Sequence, residues 1–95
     1  MDLVSADFEV FGKVQGCNFP KVAKDQADSL GVFGWIKNTK TGSILGRIQG
    51  TEPACAQMER WLSEEGSPGS MIERCDITNK KKIVRPDYQK FKIAF

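Results

Sequence analysis

Histidine is absent from this 95-residue sequence. Its absence removes Ser-His-Asp and Cys-His nucleophile pairs, imidazole general bases and most transition-metal sites. Any chemistry must therefore fall to amides, carboxylates, cations or backbone N–H groups. Cysteine is scarce as well: Cys17, Cys55 and Cys75 are odd in number and far apart, with no C-x-x-C spacing. Neither a disulfide framework nor a zinc site is suggested, and free thiols fit the cytosol. Charge of one sign is also missing, because 14 basic side chains face 12 acidic ones for a formal net charge of +2. That balance is too even to drive nucleic-acid or membrane binding. Lys80-Lys81-Lys82 is the one basic run and reads as a solvated loop. Long hydrophobic runs are lacking too. Met1 to Asp7 has neither the positive start nor the apolar centre of a signal peptide, and no later stretch has the length of a membrane span. A cytoplasmic, monomeric protein is the expectation.

What remains is the composition of an ordinary globular protein, 40% hydrophobic and 27% charged. A chain of this length has room for one domain, residues 1–95, around one core. Ser5 to Gly12 alternates Ala6, Phe8 and Val10 against Asp7 and Glu9, as a half-buried strand does. From Pro20 to Leu30 the apolar residues Val22, Ala23, Ala27 and Leu30 recur at helical spacing, with Gly31 as the C-cap. Val32 to Asn38 and Ser43 to Gln49 are β-rich runs around Thr39-Lys40-Thr41-Gly42, which predicts a hairpin. Glu52-Pro53 opens a second helix striped by Ala54, Met58, Trp61 and Leu62 and ended by Gly66 to Gly69. Met71 to Ile77 predicts a fourth strand, Asn79 to Pro86 a polar connection, and Phe91, Ile93 and Phe95 a short final strand. Strands that alternate and helices with one stripe each call for an α+β sandwich: a ferredoxin-like βαββαβ fold, one antiparallel sheet with two helices on one face.

The junction from Phe11 to Lys21 is the first candidate for chemistry. A glycine-containing loop that enters a helix aims several unpaired N–H groups at one point, which suits an anion. The same pattern also suits a plain tight turn, since it matches neither G-x-G-x-x-G nor G-x-x-x-x-G-K-[ST]. Cys17 lies close to a helix N-terminus, where a thiolate is favoured. A phosphatase-type cysteine would need arginine six positions later, and that residue is Ala23. Asn38 ends an apolar run and carries an amide that both donates and accepts. Trp35, Trp61 and the phenylalanines read as core rather than as a stacking platform for bases.

Two longer segments point to a family. Val10 to Phe19 (VFGKVQGCNF) and Gly34 to Ile44 (GWIKNTKTGSI), closed by Gly50, resemble both signature segments of the acylphosphatases. Met58-Glu59-Arg60-Trp61-Leu62, Gly66-Ser67-Pro68, Asp87-Tyr88 and Phe91 continue the likeness in one register. The resemblance implies a ferredoxin-like fold that hydrolyses the carboxyl-phosphate anhydride of small acyl phosphates with no metal and no cofactor. It also implies that the backbone N–H groups of Gly16, Cys17, Asn18 and Phe19 hold the phosphate, and that Asn38 positions the attacking water.

The loop departs from the family pattern at Cys17-Asn18, where the family more often has apolar residues, and at one position that matters more. The place of the phosphate-binding arginine, directly after the aromatic residue, is Pro20. Proline comfortably starts a helix, but it has neither a guanidinium fork nor an N–H. Losing one preorganised donor costs roughly 10²–10³ in rate, and a charge-stabilising arginine in phosphoryl transfer is worth roughly 10³–10⁵. Strongly reduced or lost activity is the expectation. Lys21 is a poor substitute, since it lies about 100° further round the helix and offers a point charge in place of a fork. The alternative is a non-catalytic binding or interaction module on the same fold. RNA binding is disfavoured because the strands lack the aromatic-rich RNP pattern and the chain is nearly neutral.

Overall fold

The computed structural model describes residues 2–94. In chain order it contains β1 (Leu3–Lys13), α1 (Phe19–Leu30), β2 (Phe33–Asn38), β3 (Ile44–Thr51), α2 (Glu52–Arg60), β4 (Met71–Ile83) and β5 (Phe91–Ile93). A π-helical turn over Trp61–Glu65 continues α2. The five strands form one sheet in the order β4-β1-β3-β2-β5.

Alternation along β1 sends Ala6, Phe8 and Val10 to one face, where they join Ile36, Ile44 and Ile48. Ala23 and Ala27 of α1 and Met58 of α2 close over them in one buried cluster. Burying a Phe, Ile or Met side chain contributes about 1.5–3 kcal/mol, so this face is the main reason the two helices dock on the same side. Asp7, Glu9 and Arg47 are left for the opposite face. Phe19, Ala23 and Ala27, spaced by four, make the buried stripe of α1. Gly31 ends that helix in the left-handed conformation, at φ 74°. The Thr51 side chain caps α2 by accepting from the Ala54 N–H at 3.3 Å, and Glu52 stands in the first turn, where the helix dipole favours it.

The ferredoxin-like sandwich expected from the element order is present, with two differences in its edge strands. The sheet is mixed rather than wholly antiparallel. β1 pairs antiparallel with β3 and β4, and β2 with β3, but β5 pairs parallel with β2 through Gly34–Phe91 and Ile36–Ile93. The reason is chain direction: β4 runs opposite to β1, and a single reversal between Ile83 and Phe91 returns β5 to the direction of β1 and β2.

The second difference concerns Asn79 to Ile83, which is strand and not connection, and Lys80-Lys81-Lys82, which is strand and not loop. These residues stay paired with β1 as far as Leu3–Ile83 because a bulge between Ser5 and Asp7 takes up the change of register. Asn79 sits there at φ 52°. Side-chain polarity could not report this, since an edge strand tolerates lysines facing water and its pairing is a backbone matter.

Candidate functional site

The β1–α1 loop is anchored by two side chains that point inward. Val14 is fully buried, as is Phe19, whose ring lies 5.3 Å from that of Trp61. Between them Gly16 and Asn18 adopt positive φ, 81° and 56°, so the chain coils back on itself before α1 begins. Cys17 is held on the protein side of this coil: its thiol meets the Val14 carbonyl at 3.5 Å and accepts from the Ser67 hydroxyl at 3.3 Å. Among the described residues, no backbone carbonyl accepts from the N–H groups of Gly16, Cys17, Asn18 or Phe19. Donors of this kind at a helix start favour negative charge.

Gln15 connects the loop to the β2–β3 hairpin. Its amide nitrogen donates to the carbonyl oxygens of Thr39 and Ser43, each at 2.9 Å. The hairpin turn is braced in turn by Thr39 N–H to Ser43 carbonyl at 2.9 Å, and by the Ser43 hydroxyl donating to Glu9 at 2.7 Å. Asn38, the last residue of β2, is thereby fixed beside the loop.

A cleft of about 410 Å³ opens where these pieces meet, lined by Gly16, Asn18, Pro20, Lys21, Asn38, Ile93 and Ala94. Five residues chosen from the sequence thus gather on one surface. Cys17 and Phe19 pack their side chains against the core instead, and neither residue lines the cleft. Gln15, Ile93 and Ala94 were not singled out by sequence reasoning. Ile93 and Ala94 arrive with β5, where the Ala94 N–H donates to the Ile36 carbonyl at 2.8 Å. No local spacing announces that partnership, whereas Gln15 lay inside the first signature segment and its polar amide was the available signal. Pro20 occupies the first turn of α1. Lys21 is the one basic residue among those lining the cleft, and its ammonium is paired with both Asp25 carboxylate oxygens at 3.0 Å.

A second polar recess of about 260 Å³ lies on the open face of the sheet, around Asp7, Arg47, Gln49 and Asp87. Lys80 and Lys81 also line it, but Asp7, Arg47, Gln49 and Asp87 are spent on hydrogen bonds within the recess. Arg47 donates to both oxygens of Asp7, Asn79 donates to Asp7 at 2.9 Å, and Gln49 donates to Asp87 at 2.9 Å. The guanidinium holds the Asp7 carboxyl below its ordinary range, and Asp7 in turn raises the Arg47 pKa. Burial pushes the Cys55 and Cys75 thiols, both outside the cleft, up to about 11.

Fold and cleft together define a ferredoxin-like α+β sandwich whose strand–loop–helix junction faces an asparagine across a small opening. The chain belongs to the acylphosphatase family, whose sequence pattern matches residues 6–93. Acylphosphatase-2 of Homo sapiens is 44% identical over 93 residues, which cover 98% of this chain and 94% of that protein. An acylphosphatase from Coxiella burnetii is 27% identical with a TM-score of 0.85, covering 98% of this chain and 94% of that one. The acylphosphatase from Bacillus subtilis is 25% identical with a TM-score of 0.88, over 97% and 99% of the two chains.

Proposed function

We propose that the cleft receives the phosphoryl end of a small acyl phosphate and that the chain hydrolyses it far more slowly than the family's motif allows. Water attacks phosphorus, the bond to the carboxyl oxygen breaks, and a carboxylate and inorganic phosphate leave. The N–H groups of Gly16, Cys17, Asn18 and Phe19 are assigned to the phosphoryl oxygens, and Asn38 to the attacking water. The observation that carries this reading is the convergence of Gly16, Asn18 and Asn38 on one opening beside Pro20. Pro20 also accounts for the slowness, because it supplies neither charge nor N–H at the position where the motif carries arginine. On this reading the chain works as one cytoplasmic, monomeric domain over residues 1–95, with small acyl phosphates or inorganic phosphate as its partners and no part played by nucleic acid or membrane.

The test is Pro20→Arg, assayed on an aromatic acyl phosphate beside the unmodified protein. A gain of about 10² or more is expected, the size of one restored preorganised donor, and Asn38→Ala should abolish it. No gain in a folded Pro20→Arg protein would mean that the loop itself is no longer competent.

Pro20 equally favours a second reading, a non-catalytic module that keeps an anion site. In that case phosphate shifts the amide resonances of Gly16 to Phe19 while turnover stays at the buffer blank at high protein concentration. Millimolar phosphate that moves none of these resonances rejects the binding version.

A further inference from the structure

We propose that Lys21 is the cation of this cleft and that Asp25 holds it in reserve, so that an arriving phosphate takes the Lys21 ammonium away from the Asp25 carboxylate. The inference rests on the reading of the cleft as a phosphate site.

The helical offset of one residue argues that Lys21 should point away from the place of Pro20. Yet both residues line the same cleft, and no other lysine or arginine does so among the described residues. Asp25 lies one turn further along α1, with both carboxylate oxygens 3.0 Å from the ammonium. The two side chains are 65% and 61% exposed. An exposed pair at this spacing is weak, shifting an equilibrium by only about twofold. Phosphate carries more negative charge than a carboxylate and would sit at the positive end of the helix, while Asp25 stands beyond its first turn. The flexible stem of lysine lets one ammonium serve either acceptor.

The same helix holds an internal control. Lys24 and Asp28 form an equivalent pair at 2.7 Å, and neither lines the cleft.

The experiment is titration of inorganic phosphate at fixed ionic strength, followed through the amide resonances of the loop, on the full chain and its variants. Lys21→Met should weaken binding roughly tenfold, the share of one charge-assisted hydrogen bond, and Lys21→Arg should retain it. Asp25→Asn should tighten binding by about twofold through release of the ammonium, and in a Lys21→Met background it should lose that effect. Asp28→Asn should leave affinity unchanged. Equal affinities for the unmodified protein and Lys21→Met would overturn the proposal, as would equal tightening by Asp25→Asn and Asp28→Asn. If Pro20→Arg binds phosphate and the unmodified protein does not, this inference fails alone. If neither binds, the phosphate reading of the cleft fails with it.

Discussion

Gln15 donates both hydrogens of one amide across the mouth of the cleft, to Thr39 and Ser43. Among the described residues, no other side chain of the β1–α1 loop hydrogen-bonds to the turn that follows Asn38. Gln15→Ala would leave two carbonyls to water and would free the loop from the hairpin. A loss of about 1 kcal/mol in unfolding free energy is expected, read from urea denaturation. The kinetic consequence should be larger: in the Pro20→Arg background, Gln15→Ala should remove much of the restored turnover, since a small misplacement of positioning groups is costly in rate. Full retention of that turnover would show that Asn38 needs no such strut. Pro20 illustrates a conflict at the same scale, since a residue well suited to the first turn of a helix is unsuited to holding phosphate.

At the scale of elements, the hairpin β2–β3 carries Asn38 to the cleft, and its register depends on a close packing layer. Gly46 lies opposite Phe8 of β1 and Ile36 of β2. A side chain at Gly46 would overlap the Trp35 carbonyl oxygen and the Phe8 ring. Gly46→Ala should therefore destabilise the fold by about 1–3 kcal/mol, visible as a lower urea midpoint. An unchanged midpoint would mean that Phe8 can move aside at no cost. The helices were legible from their apolar stripes, because a 3.6-residue period survives in the sequence whatever the helix packs against. The second half of β4 was not legible. Asn79 to Ile83 pairs through backbone groups at a sheet edge, where no side-chain period is required.

At the scale of the whole molecule, the connection from β4 to β5 is fastened to the open face of the sheet. Gln49, 1% exposed, donates to the Asp87 carboxylate and accepts from the Asp87 N–H at 2.7 Å, while Arg47 joins Asp7 to Tyr88. These ties bring β5, and with it Ile93 and Ala94, round to the cleft. Asp7 binds its proton less readily in the folded chain than the ordinary carboxylate value of 3.8, chiefly because of Arg47. Its contribution to stability is therefore complete above that ordinary value and is lost as pH falls through the lower folded value. Asp7→Asn should be less stable than the unmodified protein at neutral pH and should show a flatter dependence of stability on pH below about 4. Denaturant midpoints measured across that range check this, and parallel curves for the two proteins would exclude the Asp7 contribution.

The sequence alone determined the βαββαβ order, the presence of an apolar stripe on each helix and the family. Each of these is local, carried by periodicity, by turn chemistry or by motif spacing that nearest neighbours along the chain enforce. Only the tertiary structure decided that β5 runs parallel to β2, that the lysine run lies in a paired edge strand, and that Cys17 turns into the protein. It also decided that Gln15 ties loop to hairpin and that Lys21 lines the cleft while bound to Asp25. These depend on which distant segments meet, on backbone pairing at the sheet edges and on side chains choosing among partners, none of which leaves a local pattern in the sequence.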